Sequence, residues 1–130
     1  MTAYLLDTNV CLDFLLDRSV NVVRRLGDCF ERCAISTISV AELRVGSKTS
    51  SDPAEDERKL DLFLAGLNVM PFDDRAAERY GLMMRDIAMR RTNFDRLIAA
   101  HALAVGLVLV TSNIRDFADI PGLQVEDWTR

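Results

Sequence analysis

A three-layer α/β/α fold with a mainly parallel central sheet is what this chain predicts, on three observations. Short apolar runs near residues 4–6, 34–37, 68–72, 107–110 and 123–125 alternate with longer stretches of helical periodicity, the pattern that builds parallel sheets. Two of these runs end in polar clusters, at Asp7 and at Thr111-Ser112-Asn113, where an open parallel sheet places its ligand crevice. No repeat, low-complexity tract or linker interrupts the 130 residues, so 1–130 reads as one domain large enough to bury a core.

Each element has its own signal. Tyr4-Leu5-Leu6 is an apolar run that stops at a carboxylate, so it predicts a buried strand that delivers Asp7 to its end. Thr8 and Asn9 then cap a helix that starts near Val10 and runs to Leu16. Val22, Val23, Leu26 and Phe30 share one face of a second helix over 20–30, and Ala34 to Thr37 forms the next strand. Ser39 and Glu42 match the serine-x-x-glutamate capping box and open a helix to about Gly46, followed by a polar loop over 47–51. Asp52 with Pro53 behind it starts a helix whose Leu60, Phe63, Leu64 and Leu67 face inward. After a strand at 68–72, Asp73 or Asp74 caps a long helix to about Arg91, with Ala77, Tyr80, Met84, Ile87 and Ala88 inward. Asp95 begins a helix that Gly106 ends. Leu107 to Val110 is the most strand-like stretch; a helical turn at Ile114 to Phe117 and a last strand near 123–125 follow it.

Composition narrows the chemistry. No apolar run approaches the roughly 18 residues of a membrane span, and the first residues lack the basic region of a secretory signal, which predicts a cytoplasmic protein with no membrane contact. Cys11, Cys29 and Cys33 fit buried thiols better than a disulfide frame, and a lone His101 rules out ordinary zinc ligation. Net charge is −4, so any nucleic-acid contact must rely on local arginines and on bound cations. Arginine far outnumbers lysine, which occurs only as Lys48 and Lys59; its planar fork suits phosphate and carboxylate alike.

Four carboxylates stand at chain ends that this fold brings to one side: Asp7, Glu42, Asp95 and Asp116. Taken singly, each has a structural explanation as a cap or a turn residue. Taken together, carboxylates a few ångströms apart repel one another unless a cation neutralises them, and an all-oxygen set selects magnesium or manganese. Such an ion serves phosphodiester hydrolysis without a histidine base or a covalent intermediate. His101, well inside its helix, reads as a hydrogen-bonded structural residue, whereas Arg90, Arg91, Arg96 and Arg115 flank the acids and are candidates for RNA phosphate contact.

Leu5-Leu6-Asp7-Thr8-Asn9, Ser39-Val40-Ala41-Glu42-Leu43, the run from Asp95 to Ala102 and the run from Thr111 to Phe117 resemble, in order and spacing, the successive motifs of the PIN-domain ribonucleases. The resemblance is to the VapC toxins of toxin-antitoxin pairs and extends over almost the whole chain. It implies a metal-dependent endoribonuclease acting on RNA, transfer or ribosomal RNA among its substrates. By that resemblance Asp7, Glu42, Asp95 and Asp116 are the catalytic acids, with Asp7, Asp95 and Asp116 holding Mg2+ or Mn2+, and Thr8, Asn9, Ser112 and Asn113 are their polar supports. It also implies a cognate VapB-type antitoxin, lying across the acidic groove against Leu12, Leu15 and Leu16, and a homodimer.

Two other α/β classes share the strand-end aspartate. A phosphoacceptor receiver domain needs adjacent acids after its first strand and a lysine after its last, and neither is present. A haloacid-dehalogenase-type phosphatase needs a second aspartate where Asn9 stands. A non-catalytic RNA-binding or protein-binding relative of the nucleases is the remaining alternative, and retention of four acids argues against it, since a contact module gains nothing from burying like charges.

Overall fold

The computed structural model describes residues 1–87 and 93–130. Five strands, β1 (Tyr4–Leu6), β2 (Cys33–Ser36), β3 (Asn68–Met70), β4 (Val108–Val110) and β5 (Val125–Glu126), pair in the order β3-β2-β1-β4-β5, every pairing parallel. Tyr4 aligns with Cys33 on one side and Val108 on the other, so β1 is the central strand. The order reverses between β1 and β4, and an open parallel sheet offers its ligand crevice beyond the strand ends at such a point.

Alternation along the strands divides the core into two layers. Leu6 and Ile35 point to one face and pack with α1 (Thr8–Leu15), α2 (Val20–Cys29), α3 (Thr37–Lys48) and α4 (Pro53–Ala65) through Val10, Leu26, Leu43, Leu60 and Phe63. Leu5, Ala34 and Leu109 point to the other, against α5 (Asp74–Asp86), α6 (Phe94–Val105) and α7 (Ile114–Phe117) through Met83, Met84, Ile98, Ala99 and Phe117. The three-layer α/β/α expectation is met. Trp128 closes the first layer: it is fully buried, edge-on to Tyr4, and its indole Nε1 donates to Glu126 at 2.9 Å. Among the described residues no helix is long and apolar enough to cross a membrane.

The caps correct several local expectations. α3 starts at Thr37, and its N-cap is Ser36, whose Oγ accepts from the Ile38 amide at 3.1 Å; Ser39 lies inside the helix, fully buried, with no hydrogen-bond partner for its Oγ among the described residues. The capping box at Ser39 and Glu42 therefore does not form, because a serine three residues earlier, at the strand end, already serves. α3 also runs past Gly46 to Lys48. Asn93, not Asp95, caps α6, accepting from the Arg96 amide at 2.9 Å, and this leaves Asp95 inside the first turn. α1 begins at Thr8, two residues before the expected start, and α2 ends at Cys29 with a 3-10 turn over Phe30–Arg32. β3 stops at Met70, β5 is displaced to Val125–Glu126, and Ala76 rather than Ala77 is the buried alanine of α5. The caps at Asp52 and Asp73 are as expected, as is the αL stop of α6 at Gly106, with φ of 71°. The expected continuation of α5 through Ala88 to Arg91 lies outside the described residues.

Candidate active site

Asp7 sits directly beyond β1, with its amide donating to the Val110 carbonyl at 3.0 Å and its side chain only 2% exposed. It occupies the N-cap position of α1, yet its carboxylate makes no capping bond. Instead the Thr111 hydroxyl donates to Oδ2 at 2.6 Å. That hydroxyl is itself held: Thr111 Oγ1 accepts from the Asn113 amide at 3.0 Å, and because a hydroxyl has one hydrogen, accepting there aims the donor at Asp7. Burial pushes the Asp7 carboxyl above the ordinary aspartate range; the Thr111 hydroxyl and the amides of Asn9 and Thr8 pull it down, and the Glu42 charge adds a further upward push.

Glu42 reaches the same edge from α3. The Thr8 hydroxyl, at the start of α1, donates to its Oε1 at 2.6 Å across 34 residues of sequence. This contact replaces the abandoned capping role. Asp95 comes from the first turn of α6 and is also raised, by burial first and then by the charges of Asp7 and Asp116, with Arg96 opposing. Acids from β1, α3, α6 and α7 therefore feel one another in two overlapping groups: Asp7 with Glu42, and Asp95 with Asp7 and Asp116. Asp116 itself is exposed on α7, its amide bonded to the Asn113 carbonyl at 3.0 Å.

Other residues singled out from sequence fall at different distances from this centre. Asn9 and Ser112 are exposed at the two strand ends, and Asn113 acts through its backbone. Arg96 makes two parallel bonds of 2.9 and 3.1 Å to Asp119, which brace α6 to the segment after α7. Arg115 is exposed and makes no ion pair among the described residues; Arg90 and Arg91 lie outside them. His101 is 1% exposed, its Nδ1 2.8 Å from Ser36 Oγ and its ring edge-on to Phe72, and burial lowers its pKa, so it is a neutral structural histidine as expected. Cys11 lies buried one turn into α1, its thiol pushed up by burial and by Asp7, which disqualifies it as a nucleophile. Cys29 and Cys33 are free thiols with sulfurs 3.9 Å apart.

Thr111 is the partner of Asp7 that sequence reasoning passed over in favour of its neighbours Ser112 and Asn113. The available signal was strand alternation: as the first residue after β4, it faces the same side as the end of β1.

The donor set is suited to a hard divalent cation. Asp7 is a buried carboxylate with no Lys or Arg ion pair among the described residues, and its charge and that of Asp95 are disfavoured as they stand. Among the described residues no three acidic, histidine or cysteine side chains close into a metal cage. Beside the acids, α1, α3 and α4 enclose an apolar groove of about 340 Å³, with Leu12, Leu15 and Leu16 on one wall, Leu43 and Leu60 on the other, and Thr8 and Glu42 at its end.

Residues 4–123 match the PIN domain. The chain is 34% identical to the tRNA(fMet)-specific endonuclease VapC of Salmonella typhimurium, covering 98% of this chain and 99% of that one, and 33% identical to ribonuclease VapC2 of Rickettsia felis, covering 98% of each. In three dimensions it is similar to the DNA-bound VapBC complex of Salmonella typhimurium, with a TM-score of 0.92 at 33% identity, over 98% of this chain and 99% of that one. VapBC-1 of nontypeable Haemophilus influenzae superposes with a TM-score of 0.84 at 28% identity, over 99% and 100% of the two chains.

Proposed function

The chain belongs to the PIN-domain family as an endoribonuclease toxin of the VapC type, and from that premise we propose that Asp7, Glu42, Asp95 and Asp116 carry its chemistry. PIN-domain ribonucleases are metal-dependent, and Asp7, Asp95 and Asp116 are the residues that would hold the ion, magnesium or manganese. When bound, a divalent ion lowers the pKa of a water to yield a nucleophile at neutral pH and neutralises charge on the scissile phosphate. The observation that carries the assignment is the Asp7 carboxyl, buried at the strand end, held at one oxygen by Thr111 and raised in pKa by its burial.

The chain's own groups divide the remaining work. Thr111 holds Oδ2 of Asp7 by donating to it at 2.6 Å, which restrains the carboxylate at the strand end. The Thr8 hydroxyl donates to Glu42 Oε1 and so holds this carboxylate at the mouth of the crevice. Arg115, exposed at the opening of α7, is proposed to meet a phosphate, and Arg90 and Arg91 are proposed for the same duty on sequence grounds alone. Similarity to a tRNA(fMet)-specific nuclease makes transfer RNA, initiator tRNA first, the proposed substrate. The test is cleavage of end-labelled initiator tRNA by wild type and by Asp7→Asn, with and without magnesium; full activity of the variant overturns the assignment.

The partner is a cognate antitoxin, as in the VapBC complexes this chain resembles. We assign its docking segment to the groove between α1, α3 and α4, whose leucine walls suit an amphipathic helix and whose acidic end suits a basic side chain. Co-purification with the neighbouring small gene product, lost on Leu12→Glu, tests this.

A further inference from the structure

We propose that Phe94 is the platform on which a base of the RNA substrate stacks, next to the scissile phosphate. The inference rests on the nuclease reading above and extends it to recognition. The chain has one Trp, two Tyr and six Phe, and every ring but one is buried or half-buried. The exception is Phe94, 53% exposed, and it immediately precedes Asp95.

Among the described residues, Phe94 packs into neither core layer. Phe94 is the first residue of α6, whereas the apolar contact that steadies a helix entry joins the residue before the cap to the fourth helical residue. The cap is already provided by the Asn93 side chain. The first turn is anchored at its other side by the two bonds of Arg96 to Asp119, so the ring is presented from a fixed backbone. Asp116 acts on Asp95 electrostatically, and Ile114, 41% exposed, opens the helix that carries Asp116. Exposed apolar groups thus stand at the two helix starts that bear the outer acids.

Charge considerations favour a nucleobase as the occupant. A protein of net charge −4, with Arg96 neutralised by Asp119, has little sequence-independent attraction for a polyanion. Base-aromatic stacking does not depend on charge, tolerates any base, and is the usual means by which single-stranded RNA is held.

The experiment measures single-turnover cleavage of end-labelled initiator tRNA by wild type, Phe94→Leu and Phe94→Trp, with quenching of 2-aminopurine placed beside the mapped cut in a short RNA. Leucine keeps the apolar bulk and loses the ring; tryptophan keeps a ring. The expected result is a half-saturating concentration raised roughly 5- to 100-fold for Phe94→Leu. Its maximal rate and melting temperature should stay near wild type, its quenching should disappear, and the effect should be insensitive to salt. Phe94→Trp should bind at least as well as wild type. Unchanged RNA affinity of Phe94→Leu while wild type cleaves overturns the stacking role alone, and if the variant instead loses affinity for the co-expressed antitoxin, the ring is a protein contact. Absence of cleavage by wild type on transfer and ribosomal RNA overturns the nuclease reading and this inference together.

Discussion

The two walls of the acidic crevice are built on opposite plans. On the sheet side, Asp7 and Thr111 are buried at the ends of adjacent strands and joined by a hydrogen bond of 2.6 Å, and the charges coupled to Asp7 are those of two other acids, Glu42 and Asp95. On the helix side, Asp95 is half-buried and Asp116 exposed, and the wall is braced from outside by Arg96 and Asp119 and faced with an open phenylalanine. The difference separates two tasks. The sheet wall fixes a carboxyl group away from water, where its charge is costly without a cation. The helix wall is open to solvent.

The largest expected effect breaks the sheet wall. Asp7→Asn is nearly isosteric and keeps an oxygen for Thr111, so the fold should survive while cleavage falls by about 10³-fold, several kcal/mol of lost transition-state stabilisation at about 1.4 kcal/mol per decade. Glu42→Gln should lose activity too. Rate measurements at saturating RNA, with circular dichroism as the control for folding, decide the matter; an active Asp7→Asn protein would mean that the buried charge has no catalytic part.

How much of this contrast is legible in the sequence depends on how local each feature is. The β1 run into Asp7, the Asp52 and Asp73 caps and the Gly106 stop are spelled by neighbours along the chain, and the fold class follows from their alternation. Glu42 shows the limit. Ser39 and Glu42 satisfy the spacing of a capping box, but the cap belongs to Ser36, and the true partner of Glu42 is Thr8, which only the packing of α1 against α3 brings near. Thr111 was hidden for the same reason: its importance lies in a bond to a residue 104 positions away. Arg96 looked like a phosphate ligand because it adjoins an acid, and only the fold shows that Asp119 holds it. Capping signals are local; side chains that join two elements are not.

A second substitution sharpens the sheet wall without touching a carboxylate. Thr111→Val keeps the shape and deletes the hydroxyl, leaving Asp7 buried without its donor and the Asn113 amide without its acceptor. Hydrogen bonds to charged groups are worth about 1.5–3 kcal/mol, so denaturant unfolding at pH 7 should show a loss of about 2 kcal/mol, and Thr111→Ser should recover most of it. Divalent-ion affinity should fall in parallel, because Asp7 then ionises less readily.

The two walls should also differ in how their stability follows pH. Asp7 has a raised pKa in the folded chain, so its favourable contribution is complete below the unfolded value of about 3.9 and is lost as pH rises through the folded value. Metal-free Asp7→Asn, which has no charge to bury, should therefore match wild type near pH 3.5 and become progressively more stable than it towards pH 7. Saturating magnesium should cancel that advantage by stabilising the wild type alone. Thermal melts across this range, with and without the ion, measure it; an advantage that shrinks as pH rises would reverse the sign and remove the argument for a strained carboxylate.

The smallest expected effect on stability belongs to the exposed acid, and it completes the contrast. Asp116 lies in solvent on α7, and the bond that anchors this segment is made by its amide to the Asn113 carbonyl, which Asp116→Asn leaves in place. Its charge acts mainly on Asp95, which it pushes upward. Removing it should change unfolding free energy by no more than about 0.5 kcal/mol, the usual range for surface substitutions. It should also let Asp95 ionise at lower pH, a change visible by carboxyl-carbon NMR titration of the metal-free protein. If cleavage nonetheless drops while stability holds, the helix wall contributes charge to the reaction without contributing to the fold. A destabilisation comparable to that of Thr111→Val would instead show that the two walls are built alike.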